Sequence, residues 1–191
     1  MSDYRRFWRA GGTFFFTQVT QNRSTILTGD VARPILRRVI EAVVAARPFD
    51  IEAIVLLPDH LHAVWRLPEG DVDYATRMAS IKAQFTRQWL GAGGVEQTPS
   101  ASRQRRGGRG VWQRRYWEHT CRDTEDFKNH LDYVHWNPVK HGYVTCPHLW
   151  PWSSIMKWVE RGVYPIDWRC VCDGRAIDPP DFSRLDETAM E

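Results

Sequence analysis

The chain has 191 residues, 42% of them hydrophobic and 13% aromatic, which excludes a disordered or fibrous protein and leaves room for a sizeable core in one domain with a tail. No stretch approaches the roughly 20 apolar residues of a membrane span, and the start MSDYRRFWRAGG lacks the apolar segment of a signal peptide, so a cytoplasmic chain with no membrane partner is expected. Net charge is only +3, but of 26 basic residues four are lysine (Lys82, Lys128, Lys140, Lys157), leaving 22 arginines.

Arginine's planar fork suits phosphates and guanine edges and stacks on bases, which points toward nucleic acid. An arginine-biased genome would produce the same count. Beyond residue 172 the balance turns acidic, with Asp173, Asp178, Asp181, Asp186, Glu187 and Glu191 against Arg175 and Arg184, so the remainder is more basic than the total. Cys121, Cys146, Cys170 and Cys172 match no clear zinc spacing, C-x-C being the only close pair, and they read as free thiols.

TFFFTQVTQ (13–21) follows a Gly-Gly break and is rich in aromatic and β-branched residues, as a strand is. VARPILRRVIEAVVAAR (31–47) has the apolar spacing of an amphipathic helix, with Pro34 in its first turn. IEAIVLLP (51–58) and HLHAVWRL (60–67) read as the two arms of a hairpin turning at Pro58-Asp59. In the second arm His60 and His62 point to one side, their Cβ atoms about 7 Å apart, so two imidazoles can converge on one metal ion or one phosphate. Two half-exposed histidines near a strand end would give the same pattern.

DYATRMASIKAQFTRQWL (73–90) places Met78, Ile81, Phe85 and Trp89 at helical spacing and predicts a helix with a buried stripe. Residues 91–110 are rich in Gly, Ser and Arg without periodicity, which predicts a flexible loop with SRQRRGGRG as its basic centre. VWQRRYWEHT (111–120) reads as a strand, and DTEDFKNHLDYVHWNPVKHG (123–142) as a third helix capped by Asp123 and ended or bent at Pro138. An aromatic extension (150–172) and an acidic tail (173–191), expected to be flexible, follow the main domain of residues 1–149. The order β–α–β–β–α–β–α predicts an α+β fold of ferredoxin-like character, an antiparallel sheet with helices packed on one face.

On the third helix Tyr133 and Asn137 are one turn apart on the same face. A tyrosine hydroxyl can act as a covalent nucleophile, and an asparagine carbonyl can bind a hard cation beside it. Taken alone, an ordinary amphipathic tyrosine and a polar residue before proline explain the pair equally well.

Together these segments resemble a known family. PDHLHAVW matches the His-hydrophobic-His strand of the HUH nucleases, and WQRRYWEHTCRDTEDFKNHLDYVHWNPVKHGYV resembles the catalytic-helix region of single-tyrosine (IS200-like) transposases. The segment ending GVYPIDW and the start YRRFWRAGGTFFFT resemble the REP-associated tyrosine transposase branch, so that the likeness spans roughly residues 3 to 168. It implies a ferredoxin-like HUH fold, His60 and His62 as ligands of Mg²⁺ or Mn²⁺, and Tyr133 as nucleophile. Asn137 stands where related insertion-sequence transposases carry glutamine, and it is assigned as third ligand on its side-chain oxygen.

The implied partner is single-stranded DNA with a foldback, REP-like hairpin, cleaved through a 5′-phosphotyrosine and handled by a monomer or homodimer. Candidate DNA contacts are Arg5, Arg6, Arg103, Arg105, Arg106, Arg109, Arg114 and Arg115. The rival expectations are a hairpin-binding protein without catalysis and a metal-dependent phosphodiesterase that uses water.

Overall fold

The aromatic run after Gly-Gly forms β1 (Thr13–Val19), an interior strand of a four-stranded antiparallel sheet. The computed structural model describes residues 11–99, 101–105 and 107–172. β2 (Asp50–Leu56), β3 (His60–Arg66) and β4 (Trp117–Thr120) complete the sheet in the order β2-β3-β1-β4. This is the order of a ferredoxin-like βαββαβ core, with β2 and β4 at the edges.

The helices are α1 (Ala32–Ala46), α2 (Tyr74–Gly91), the single turn α3 (Ala101–Gln104), α4 (Thr124–Lys140) and α5 (Ile155–Glu160). Strand alternation splits the interior into two cores. Phe14 and Phe16 of β1 and Leu61, Ala63 and Trp65 of β3 face α1 and α2, burying Leu36, Val39, Met78, Ile81 and Phe85. Phe15 and Val64 point the other way, onto Leu131 and Val134 of α4 and Ile155 and Trp158 of α5. Removing a fully buried ring such as Phe16 costs about 3–5 kcal/mol in such settings.

The expectation of helices on one face is therefore corrected. α1 and α2 share a face, but α4 and α5 cover the other, because β1 and β3 carry apolar or aromatic residues in both phases of the alternation. The strand expected over 111–120 is also shorter. Only 117–120 pairs along β1, while Trp112 makes one bridge to Thr20 and Arg114 and Arg115 lie exposed between.

The ends of α4 are set by local chemistry. The Asp123 side chain accepts a hydrogen bond from the backbone N–H of Asp126 (2.8 Å) and starts the helix. Gly142, at φ +70°, ends it: its N–H donates to Val139 O, and the Tyr143 N–H donates to Pro138 O, each at 2.9 Å. Pro138 lies inside the last turn, two residues before the end of α4.

The aromatic extension is packed into the same body. The Leu56 N–H donates to Trp152 O and the Ser154 N–H to Ile54 O, which covers the exposed edge of β2. The indole N–H groups of Trp150 and Trp158 donate to Leu56 O and Glu52 O, each at 2.9 Å. No helix of the described residues is long and apolar enough to cross a membrane. The acidic segment 173–191 lies outside the described residues.

Candidate active site and nucleic-acid face

His60 and His62 lie on the α4 side of β3 with ring centroids 4.9 Å apart. Both are buried, at 1% and 0% exposure, so they are not the half-exposed strand-end pair that their spacing also allowed. His60 Nδ1–H donates to Asp59 Oδ1 at 2.7 Å, since a carboxylate only accepts. That bond leaves the lone pair of a neutral imidazole on Nε2, which is buried and has no hydrogen-bond partner among the described residues. His62 Nδ1 shares a hydrogen bond of 2.9 Å with the Thr17 hydroxyl of β1. Both rings are thus oriented through one nitrogen by a neighbouring oxygen, as metal-ligating histidines are. Burial pushes the Asp59 carboxyl up, but hydrogen bonds from His60 and Arg23 and the charge of Arg23 outweigh it and hold the group at about 2.

α4 brings Tyr133 against this pair. Its ring meets the edge of His62 at 5.1 Å and of Phe15 at 5.8 Å, and its hydroxyl lies 3.5 Å from Lys140 Nζ. Lys140 also stands 5.0 Å from the ring centroid, placing a positive charge beside the phenol oxygen. Asn137 is fully buried one turn beyond Tyr133, and its backbone oxygen accepts from the N–H of His141. The ring of His141 packs 5.3 Å from that of His60. Sequence reasoning missed Lys140 and His141, although Lys140 is seven residues from Tyr133, two turns along the same helical face.

The rest of α4 is tied down by other polar pairs. Asp132 accepts from Tyr164 Oη (2.6 Å) and Lys128 Nζ (2.8 Å), and His135 shares a 2.9 Å bond with Ser154. Burial pushes the His135 imidazole down to about 3, so it stays neutral at ordinary pH. Asp126 accepts from His119 Nε2 (2.8 Å) and lies 3.1 Å from His130 Nδ1, and it joins β4 to the first turn of α4. Burial raises the Asp126 carboxyl, yet these partners and the Arg122 N–H hold it well below the usual range. Desolvation lowers His119 in turn. The donor atoms of His119, Asp126 and His130 are close enough for a metal, but both carboxylate oxygens are already engaged by the imidazoles.

A buried histidine pair from a strand, a tyrosine from a helix on the same face, and a ferredoxin-like sheet now stand together. The family model described as transposase IS200 like matches residues 13–137. A REP-associated tyrosine transposase of Escherichia coli (strain K12) is 43% identical over 184 residues, 96% of each chain. The chain belongs to this family. It is a tyrosine transposase of the REP-associated branch, as expected from its motifs. A protein of Haemophilus influenzae named a putative REP-associated tyrosine transposase is 43% identical over 174 residues, 88% of this chain and 93% of its own. A solved structure of a REP-associated tyrosine transposase bound to a REP hairpin superposes with a TM-score of 0.72 at 41% identity, covering 94% of this chain and 96% of that one.

In this transposase the described candidate arginines lie on the connector, not at the histidine–tyrosine face. Arg105, Arg109, Arg114 and Arg115 are exposed along the connector between α2 and β4. Arg109 makes a two-pronged ion pair with Glu96, at 2.6 to 2.9 Å, and that partner raises its affinity for its proton. A groove of about 590 Å³ between α2 and the connector is lined by Lys82, Arg87, Arg109, Arg114, Trp112 and Tyr116, among others. Lys82 Nζ closes it by donating to Gln113 O (2.7 Å) and Arg114 O (3.1 Å). Lys82 and Arg87 escaped sequence reasoning, yet Ala79, Lys82, Ala83, Thr86, Arg87 and Leu90 form one polar-to-small helix face that the spacing alone delineates. Arg5, Arg6 and Arg106 lie outside the described residues, as does the side chain of Arg103.

The free-thiol expectation needs correcting for Cys146 and Cys170, while Cys172 is a free thiol. Cys146 and Cys170 are bonded to one another, with Cys172 Sγ 3.3 Å from Cys146 Sγ and His148 Nδ1 3.7 Å from Cys170 Sγ. Cys121 is a buried free thiol, pushed up to about 12 by desolvation.

Proposed function

We propose that this transposase cleaves and rejoins single-stranded DNA beside a foldback, REP-like hairpin, with Tyr133 as nucleophile. The observation that carries the reading is the contact between the His60–His62 pair of β3 and Tyr133 of α4. The hairpin comes from the relative whose structure holds one.

A divalent ion, Mg²⁺ or Mn²⁺, fits the donor set: two imidazoles oriented through Nδ1, the buried and unpartnered Nε2 of His60, and the buried amide of Asn137 as third ligand. When bound, such an ion polarises a phosphoryl oxygen and offsets transition-state charge. Tyr133 Oη attacks the scissile phosphorus, giving up its proton, and the 3′ oxygen leaves. The product is a 5′-phosphotyrosine and a free 3′-hydroxyl. Because the phosphodiester energy is retained, that hydroxyl or another can attack the phosphotyrosine and release Tyr133, so strand transfer needs no nucleotide cofactor. Lys140, 3.5 Å from Tyr133 Oη, offsets negative charge on the attacking oxygen. Tyr133 is 1% exposed, so a phosphate reaches it only when the side chains over it move.

The hairpin is held by the groove between α2 and the connector, through Lys82, Arg87, Arg109 and Arg114, with Arg105 and Arg115 beside them. Arg5, Arg6, Arg103 and Arg106 are further candidate phosphate contacts, and unpaired bases stack on the exposed aromatics. This groove and Tyr133 lie on opposite faces of the sheet, so a strand held by one reaches the other around the β4 edge. The protein works as a monomer or homodimer in the cytoplasm, where its DNA substrate is.

The test is a denaturing gel of purified protein with 5′- and 3′-labelled hairpin DNA and Mn²⁺. The expected result is a protein–DNA band with 5′-phosphate linkage and a released 3′-hydroxyl product. Cleavage without a covalent band would indicate water as nucleophile. Binding without either product would indicate a hairpin-binding protein.

A further inference from the structure

Cys146, His148, Cys170 and Cys172 serve neither the strand–helix site nor the basic groove, yet they converge from two distant segments. Cys146 and His148 flank Pro147 at the start of a 3₁₀ turn (Pro147–Leu149), and Cys170 and Cys172 flank Val171. The Val171 N–H donates to Thr145 O at 2.9 Å, pinning the two segments side by side. The donor atoms of Cys146, His148 and Cys170 lie within 4.8 Å of one another, and Cys172 Sγ is 3.3 Å from Cys146 Sγ.

We propose that these four residues form a structural zinc site in the reduced chain. Three thiolates and one imidazole are a donor set that Zn²⁺ prefers, in a closed tetrahedral site. With Zn–S near 2.3 Å and Zn–N near 2.0 Å, tetrahedral donors are separated by about 3.5–3.8 Å. The Cys170–His148 distance of 3.7 Å falls in that range, and the Cys146–Cys172 distance of 3.3 Å needs only a small adjustment.

A disulfide alone accounts for less of the arrangement. It uses two of the four groups, and it leaves the Cys172 thiol within 3.3 Å of one bonded sulfur, where thiolate exchange can open it. The conversion balances. A dithiol reductant gives two electrons and two protons to the Cys146–Cys170 bond and closes into its own disulfide. The three cysteines then each release a proton to solvent as their thiolates, with neutral His148, take Zn²⁺. Cys146 is almost fully buried and Cys172 exposed, so the site closes from a packed base outward.

The site would staple the chain just after α4 to the end of the aromatic extension. Just ahead of Cys146 in the chain, Tyr143 stacks on Trp150 at 5.2 Å, and His141 packs against Tyr143 and His60. The metal would therefore brace the exit of the helix that carries Tyr133.

The test uses the full chain purified under a metal-free phosphine or dithiol reductant. Metal analysis should find one zinc per chain, unchanged in a His60→Ala/His62→Ala variant and in Cys121→Ser. Zinc should fall to a small fraction in Cys170→Ser/Cys172→Ser. Should that variant fail to fold, the wild-type chain decides alone: after chelation, Co²⁺ should produce the intense visible bands of a tetrahedral thiolate site, and zinc should bleach them. Bound zinc should also protect three cysteines from alkylation and raise the thermal midpoint. A reduced, folded chain that takes up neither zinc nor cobalt overturns the proposal. So does a Cys146–Cys170 disulfide that persists under the reductant, or zinc that disappears with His60 and His62.

Discussion

The histidine–tyrosine face and the arginine-bearing connector differ in how they are built. The first is assembled from regular elements, and His60, His62, Tyr133 and Asn137 are each almost fully buried. Their positions are over-determined: β3 is paired on both sides, Thr17 and Asp59 hold the imidazoles, and α4 is tied through Asp126, Asp132 and His135. Among its described residues the connector has no ladder of its own, and Arg105, Arg109, Arg114 and Arg115 are exposed, Arg109 paired with a carboxylate of the same segment. Bond-making needs atoms held to a fraction of an ångström, and burial supplies that. Holding a polyanion needs only charge near the phosphates, which a loosely ordered chain provides.

The sharpest break of this contrast is Tyr133→Phe, which removes one oxygen and little packing. The covalent adduct should vanish and cleavage should fall by on the order of 10⁴ or more, as when other covalent nucleophiles are removed. Hairpin affinity and thermal midpoint should change little. An adduct that survives would move the nucleophile elsewhere, and peptide mapping would then choose between Tyr116 and Tyr143.

Next is the His60→Ala/His62→Ala variant, read by cleavage across a Mn²⁺ titration and by hairpin binding in parallel. Cleavage should be lost at every metal concentration while binding is largely kept, since the groove proposed to hold the hairpin lies on the other face of the sheet. Full cleavage by this variant in chelator would remove the metal role.

The connector should respond in the opposite sense. Neutralising Arg103, Arg105, Arg106 and Arg109 to glutamine should weaken binding and flatten its salt dependence by about 0.7 to 0.9 for each phosphate no longer neutralised. Single-turnover cleavage at saturating protein should remain close to wild type. An unchanged salt slope would make this segment an ordinary solvated surface.

The smallest effect is expected at Glu96→Gln, which releases Arg109 from its partner. Exposed pairs of this kind are worth about 0–1 kcal/mol, so hairpin affinity should rise by no more than about fivefold. Weaker binding would mean that Glu96 orders Arg109 for DNA rather than competing with it.

Much of the fold was legible in the residues. Periodicity located α1 and α2 within one residue at each end, because their apolar stripes face a single core. Asp123 marked the start of α4, because capping is local chemistry, whereas the helix expected to end or bend at Pro138 runs on to Lys140. The strand at 111–120 was overestimated, since aromatic and β-branched composition reports burial, and Val111 and Trp112 are buried without belonging to a ladder. The second helical layer was missed for a related reason. Alternation along β1 gives way to three successive phenylalanines, and such a run shows that both faces are covered without showing by what.

By itself the sequence determined which residue types were available and on which local face they stand. His60 and His62 share a strand face, Tyr133 and Asn137 share a helix face, and both follow from backbone geometry over a few residues. Tertiary structure alone decided that these two faces meet, with Tyr133 against His62, that Asp59 and Thr17 orient the imidazoles, and that Lys140 stands beside the phenol. It also decided that Cys146 and His148 meet Cys170 and Cys172 across more than twenty residues of intervening chain. Such contacts depend on how layers pack over the sheet, and no spacing along a chain encodes a distance between segments that only a shared core brings together.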